Sequence, residues 1–274
     1  MKFTKYHALG NDYLVLDARS FPKPGTRQIR QICHRNFGLG SDGILYGPLP
    51  SKKGLCALRI FNPDGSEAEK SGNGLRIFSR WLWDEKLVAN TPFQIETKGG
   101  VVEARILSKN KIRVAMGRVS FHSEDIPVRG RPREVLGEKI RAGKKTLVFY
   151  AATIGNPHCV VPMKNPTEAI ARELGPLLET HPNFPNRTNV QFLAVTGRRD
   201  IRIEIWERGA GYTLASGSSS SAAGAVAHRM GWCDGNITVH MPGGKLALEI
   251  TPDFHVTQTG AVEFVATMET CSAP

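Results

Sequence analysis

Cysteine is sparse in this chain: five occur in 274 residues, and none forms a CxxC pair or falls at metal-ligand spacing. Odd in number and scattered, Cys33, Cys56, Cys159, Cys233 and Cys271 argue against a disulfide framework and read as reduced thiols of a cytoplasmic protein. Long apolar runs are missing as well. Nothing approaches the roughly 20 apolar residues of a membrane span. Residues 1–18 alternate polar and apolar side chains, unlike the apolar stretch of a signal peptide. The sequence has no GxGxxG or Walker pattern, no cluster of His, Cys and Asp at ligand spacing, and no lysine in a pyridoxal context. Neither cofactor nor metal is therefore expected. Basic residues outnumber acidic ones, giving a net charge of +11, but they are dispersed apart from a modest excess over 129–145. With no zinc-finger or aromatic-basic RNA pattern, that charge reads as a solvated face attracting a small acidic substrate, not nucleic acid.

What the chain does contain is a repeat at an offset of about 145 residues. Ala8-Leu9-Gly10-Asn11 returns as Thr153-Ile154-Gly155-Asn156, and Leu58-Arg59-Ile60-Phe61-Asn62 returns as Ile203-Glu204-Ile205-Trp206-Glu207. Ser71-Gly72-Asn73-Gly74 opens one helical pattern, and Ser216-Gly217-Ser218-Ser219 opens another. Gly99-Gly100 before an alternating run matches Gly243-Gly244 before another. One such match is chance. Four in the same order imply two copies of one domain, with equivalent groups contributed by each to a site between them. The length suits two domains of ordinary size.

Periodicity predicts strands over 2–7, 13–17, 57–62, 93–97, 101–107 and 111–115, then 147–152, 190–195, 201–207, 237–241, 246–251 and 262–267. It predicts helices over 26–35, 74–85, 167–179 and 218–229. Charge, glycine and proline over 117–133 place the domain boundary there. The expected division is 1–117 and 118–262, with the C-terminal strand 263–274 assigned to the first domain. The fold class is α+β: two pseudo-symmetric domains, each a curved, mostly antiparallel sheet around a central helix.

Each long helix begins directly after a Ser-Gly pair, so its free N–H groups and positive dipole end face whatever binds there. Such an end holds a carboxylate or stabilises the charge that develops on a deprotonated carbon acid. Serine is also simply a good N-cap. Two serines at symmetric positions, beside Asn11, Asn62, Asn156, Glu207 and Arg208, favour a site over a cap alone. His158 follows a Gly-Asn-Pro turn and reads equally as cleft lining or as a satisfied loop histidine. Trp81 and Trp83 read as core or interface.

His7-Ala8-Leu9-Gly10-Asn11-Asp12, Phe61-Asn62-Pro63-Asp64-Gly65-Ser66, Gly72-Asn73-Gly74-Leu75-Arg76, Gly155-Asn156-Pro157-His158, Thr188-Asn189-Val190 and Trp206-Glu207-Arg208-Gly209-Ala210-Gly211 resemble diaminopimelate epimerase, in order and over nearly the whole chain. The resemblance implies a cytoplasmic, cofactor-independent homodimer that interconverts LL- and meso-diaminopimelate for lysine and peptidoglycan synthesis. It assigns Asn11, Asn62, Asn156 and Asn189 to the distal amino-acid end of the substrate, and Glu207 and Arg208 to its charged groups. The first amides of both helices, at Gly72, Asn73, Gly217 and Ser218, would receive the carboxylate at the reacting carbon.

Stereoinversion needs one group to remove the α-proton and another to deliver one from the opposite face. In the family those groups are cysteines, at the positions held here by Ser71 and Ser216. A helix N-terminus can bring a thiol to the thiolate, whereas a serine hydroxyl is a far weaker acid and needs a neighbouring base. Tyr212 likewise replaces an acidic residue common at that point. Three readings follow: an epimerase or racemase working through a Ser/Ser pair, helped by Glu207, His158 or a water; an amino-acid-binding protein without turnover; or a chain whose catalytic cysteines were exchanged. The first, acting on diaminopimelate or another amino acid, is the expectation carried forward.

Overall fold

The computed structural model describes residues 1–270, so Cys271 and the end of the expected C-terminal strand lie outside the described residues. The chain divides into two compact units, one formed by Met1–Ala115 with the described residues from Thr259 on, the other by Met116–Gln258.

In the first unit the order is β1 (Lys2–Ala8), β2 (Asn11–Asp17), α1 (Thr26–Cys33), β3 (Ile44–Leu49), β4 (Cys56–Phe61), β5 (Glu67–Ala68), α2 (Gly72–Asp84), β6 (Phe93–Thr97), β7 (Gly100–Ser108) and β8 (Lys111–Arg118). After β9 (Glu138–Ala142), the second unit repeats that order. It runs β10 (Lys145–Thr153), β11 (Pro157–Pro162), α3 (Glu168–Glu179), β12 (Asn189–Gly197), β13 (Asp200–Glu207), β14 (Gly211–Thr213), α4 (Gly217–Arg229), β15 (Asn236–Met241), β16 (Gly244–Ile250) and β17 (His255–Ala261). The last strand, β18 (Glu263–Glu269), returns to pair antiparallel with β1.

Strand pairing repeats too. In the first unit β1–β2 is antiparallel, β2–β3 parallel, β3–β4 and β4–β5 antiparallel, β4–β6 parallel and β6–β7 antiparallel. The second unit follows the same sequence of orientations through β10–β11, β11–β12, β12–β13, β13–β14, β13–β15 and β15–β16. The α+β class, with mostly antiparallel sheets and two repeats, therefore holds.

Packing explains why each sheet needs two helices. In β2, Leu14 and Leu16 join a cluster with Phe3, Ile29, Ile32 and Ile44, so α1 covers that face. In the second unit Phe149, Val161, Val190 and Phe192 pack with Ala171, Leu174 and Leu178 of α3. The remaining long helix of each unit is buried almost all round. Every residue of α2 from Gly72 to Leu82 is buried, and α2 touches β1, β2 and β7. Helix α4 is rich in serine and alanine, which lets it lie close against β10–β13, β15 and β16. At Gly224 a Cβ would come within 2.8 Å of Leu248 Cδ1 and 3.0 Å of Ile237 Cδ1. Overpacking of this kind costs about 1–3 kcal/mol.

The stretch 117–133, where the sequence places the domain boundary, is packed: Phe121, Ile126 and Val128 are buried, the latter two in the core around α3. Strands β3, β9, β11 and β17, and the short β5 and β14, have no counterpart in the predicted set. Pro48 interrupts β3, proline begins and ends β11, and polar residues in β17 hide its alternation.

Candidate functional site

Both serines cap their helices. Ser71 is extended (φ −138°, ψ 119°), and its Oγ accepts from the Gly74 amide at 3.0 Å. Ser216 has nearly the same backbone (φ −143°, ψ 125°), and its Oγ accepts from the Ser219 amide at 3.4 Å. Each cap stabilises its helix by about 1 kcal/mol. Helices α2 and α4 each have 13 residues. What differs is the company each serine keeps.

In the first unit, a tight two-residue turn between β1 and β2 sets Asn11 at the start of β2. Leu9 and Gly10 both have positive φ, 57° and 86°, as a type I′ turn requires. The Asn11 amide is fixed at both ends: Nδ2 donates to Asp42 Oδ2 at 2.8 Å, and Oδ1 accepts from Asn73 Nδ2 at 3.0 Å. Asn73 Oδ1 in turn accepts from Arg76 Nη2 at 2.5 Å, and Arg76 is fully buried within α2. Burial pushes the Arg76 guanidinium down to about 10, still charged at neutral pH. Two residues along the same strand, the Tyr13 hydroxyl lies 3.4 Å from Ser71 Oγ.

An ion network holds this array from outside. Arg35 Nη2 bridges Asp12 Oδ1 at 2.8 Å and Asp42 Oδ1 at 2.6 Å, while Lys5 Nζ meets Asp12 Oδ2 at 2.8 Å. Burial works against ionised Asp12, but hydrogen bonds from Arg35 and Lys5 hold its carboxyl below the ordinary range. Asp42 goes the other way, raised by burial and by the neighbouring Asp12 charge. Asn62 stands on the β4–β5 turn, where its Nδ2 donates to Ser66 Oγ at 3.0 Å. Its hydrogen bond does not enter the Asn11–Asn73 array.

In the second unit, His158 Nε2 lies 2.9 Å from Asn156 Oδ1, and its Nδ1 lies 3.1 Å from Gln191 Nε2. A carbonyl oxygen can only accept and an amide nitrogen only donate, so His158 is neutral with its proton on Nε2. Complete burial pushes its pKa down to about 3, with nearby Arg208 adding to the fall against the Gln191 bond. Gln191 Nε2 also reaches Ser219 Oγ at 3.0 Å. Asn156 Nδ2 meets Ser218 Oγ at 3.4 Å, and Ser218 Oγ lies 3.5 Å from Ser216 Oγ. Gln258 Nε2 pins the start of α4 through Gly217 O at 2.6 Å and Ser221 Oγ at 2.7 Å.

Asn189, Glu207 and Arg208 gather nearby. Asn189 Nδ2 donates to Pro157 O at 2.9 Å, and its Oδ1 accepts from the Arg208 amide at 3.0 Å. The loop after β13 is tied to buried Glu179, which accepts from Trp206 Nε1 at 2.7 Å and the Gly209 amide at 2.8 Å and pairs with Arg187. Glu207 Oε2 accepts from Thr213 Oγ1 at 3.3 Å. Among the described residues, no group of three His, Cys, Asp or Glu side chains gathers to hold a metal ion.

A sequence profile of diaminopimelate epimerase matches residues 3–122 and 150–265. The chain is 60% identical over 268 residues to diaminopimelate epimerase 2 of Nostoc sp., covering 97% of this chain and 94% of that protein. It is 40% identical to the diaminopimelate epimerase of Moorella thermoacetica, over 96% and 97% of the two chains. This chain belongs to the diaminopimelate epimerase family. Among solved structures, a hydroxyproline epimerase from Agrobacterium vitis aligns with a TM-score of 0.73 at 16% identity, over 98% and 91% of the two chains. A phenazine biosynthesis protein from Bacillus anthracis aligns with a TM-score of 0.70 at 15% identity, over 99% of each. At such identities these two establish the fold alone.

Within the diaminopimelate epimerase fold, the structure ties Asn11 to Asn73, the residue after Gly72 in α2, and ties Asn156 to Ser218 and through it to Ser216. It joins Asn189 to Arg208, bonds Asn62 to Ser66 and bonds Glu207 to Thr213. Sequence reasoning missed Tyr13, Asp42, Arg76 as a support for Asn73, and Gln191. One signal was available: the offset that pairs Asn11 with Asn156 also pairs Tyr13 with His158. Trp81 is buried against Phe78, with ring centroids 5.6 Å apart, which makes it core.

Proposed function

We propose that this chain is a cofactor-independent isomerase that interconverts LL- and meso-diaminopimelate by moving the proton on one α-carbon. The observation that carries this reading is the 60% identity to a diaminopimelate epimerase over nearly the whole of both chains. In this reading Ser71 and Ser216 are the two groups that take and return the α-proton, each set at the positive end of a buried helix. The amides of Gly72, Asn73, Gly217 and Ser218 donate to the carboxylate on the reacting carbon and stabilise the charge that spreads onto it as the proton leaves.

Asn11, Asn62, Asn156 and Asn189 hold the distal amino-acid end, and Arg208 and Glu207 engage its carboxylate and ammonium. The fixed orientation of Asn11, Asn156 and Asn189 supports this role, because a preset amide loses little freedom on binding. His158, neutral and committed at both nitrogens, serves by orienting Asn156 and not by carrying the reacting proton.

The protein works in this reading as a cytoplasmic homodimer. Four buried, free cysteines support a reducing compartment, and the family resemblance supports the dimer. No described helix is long and apolar enough to cross a membrane.

The test is incubation of the purified protein with LL-diaminopimelate, without added cofactor, followed by chromatographic separation of the epimers. Appearance of the meso form supports the reading. Turnover of another amino acid with none of diaminopimelate overturns the substrate.

A further inference from the structure

We propose that Tyr13 is the proton-relay partner of Ser71, so that the first unit exchanges the α-proton through a phenol–hydroxyl pair, an inference that rests on the function proposed above. Three features carry it. The Tyr13 hydroxyl lies 3.4 Å from Ser71 Oγ, in a contact where either oxygen can donate. This is long for O–H···O, but catalytic hydrogen bonds often tighten only once substrate is bound. Ser71 Oγ also accepts from the Gly74 amide, so the positive end of α2 favours negative charge at this oxygen. The Tyr13 ring is held in place: it is buried on β2 and packs against the backbone at Gly43. A Cβ at Gly43 would come within 2.7 Å of Tyr13 Cε1 and 2.4 Å of Phe61 O, so Gly43 leaves the room the ring occupies.

The chemistry fills the gap that a serine leaves. An aliphatic hydroxyl cannot by itself accept a proton from carbon at neutral pH; it needs a base beside it. A phenol, which ionises near pH ~10 in water, is a far stronger acid than an alcohol. In the forward step the Cα–H bond breaks and its proton bonds to Ser71 Oγ. The serine's own proton moves to the Tyr13 phenolate oxygen, and the electron pair stays on the substrate carbon and its carboxylate. In the reverse step the Tyr13 phenol gives its proton to Ser71 Oγ as the serine delivers its own to carbon. Hydroxide from solvent first takes the phenol proton to form the phenolate, which is why the forward rate rises with pH; from there protons and charge balance in both directions. Tyr13 acts through Ser71 and is a positioning residue, not a group that touches the substrate.

The second unit is built differently at the matching place. There His158 bonds to Asn156 and Gln191, and Ser216 has Ser218 Oγ as its hydroxyl neighbour. The relay is therefore a property of the Ser71 side.

The experiment is a double-mutant cycle of Tyr13→Phe and Ser71→Cys, assayed by epimerisation and by α-proton exchange in deuterated water. Phenylalanine keeps the ring and removes only the hydroxyl, and thermal unfolding checks that the variant is folded. The expected result is a loss of at least tenfold in kcat for Tyr13→Phe with KM little changed. The alkaline rise of the pH–rate profile should disappear with it. In the Ser71→Cys background, where a thiol ionises on its own, the same change should cost less than twofold. A Tyr13→Phe protein with unchanged kcat and an unchanged pH profile overturns the relay. So does an equal loss in both backgrounds, which marks ring packing. If Ser71→Cys alone is inactive, the pH profile of Tyr13→Phe decides. A wild-type protein that exchanges no α-proton overturns the proposed function itself, a result distinct from failure of the relay alone.

Discussion

At the start of α2 the capping serine meets a tyrosine hydroxyl, and the asparagine behind it is clamped by an aspartate bridged to arginine. At the start of α4 the capping serine meets another serine, and the matching asparagine is clamped by a buried neutral histidine. Backbone and cap are the same at both ends, and so are helix length and the sequence of strand orientations. The repeat has thus kept what positions a helix N-terminus and let the polar neighbours diverge. Under the proposed function that suits a reaction whose two faces are not equivalent: LL- and meso-diaminopimelate differ at the reacting carbon, so the two proton-moving groups of that proposal need matching placement, not matching chemistry.

The strongest way to break the comparison is to remove the hydroxyls. Ser71→Ala and Ser216→Ala should each lower epimerisation by roughly 10²–10⁴, the range for loss of a positioned acid or base. Each should also cost about 1 kcal/mol of stability through the lost cap. If one replacement leaves turnover intact, only the other serine moves the proton and the pairing of the two ends is wrong.

His158 separates the ends by pH. Its folded-state pKa of about 3 lies well below the ordinary histidine value near 6.5. Between those limits the unfolded chain binds the proton more readily, so this residue's contribution is fully present above about pH 6.5 and is lost as pH falls toward 3. Denaturant unfolding across that window should show stability falling with pH, and His158→Gln should flatten the slope. An unchanged slope means that His158 is not held neutral. Nothing in the first unit provides the same titration at this position, because Tyr13 stands there.

Arg208→Ala tests ligand capture without reference to chemistry. Diaminopimelate at a hundredfold excess over its dissociation constant should stabilise the protein by about 2.7 kcal/mol, and the variant should lose most of that gain. Thermal shifts with and without ligand measure it; equal shifts in both proteins contradict the assigned role. The smallest effect concerns the outer clamp of the first unit. Arg35 is largely exposed, so Arg35→Gln should cost only about 1 kcal/mol or less in unfolding free energy. KM should rise more than stability falls, because Asp42 is then free to release Asn11.

Much of this was legible in the sequence, and the reasons are particular. The offset located both helices and both capping serines, since a Ser-Gly pair followed by a long apolar period marks a helix start. Strand β11 escaped because its run of Pro-His-Cys-Val-Val-Pro is buried from Pro157 to Val161 and does not alternate. The packing of the stretch after Met116 does not show in the sequence because its anchors, Phe121, Ile126 and Val128, are isolated among charged and polar residues. The supports of the site were hidden for another reason. Tyr13 meets Ser71 across 58 residues and Gln191 meets His158 across 33, separations that only the folded strands bring together.

The most direct test of the central claim, that the two serine-capped helix ends together move one α-proton, is deuterium uptake at the α-carbon of diaminopimelate. Wild type, Ser71→Ala and Ser216→Ala would be compared in deuterated water by mass spectrometry. The expected result is one deuterium incorporated by the wild type along with conversion of LL to meso, and near-complete loss of conversion in both variants. Conversion that persists in either alanine variant, or a wild type that binds diaminopimelate and never exchanges its α-proton, would contradict it.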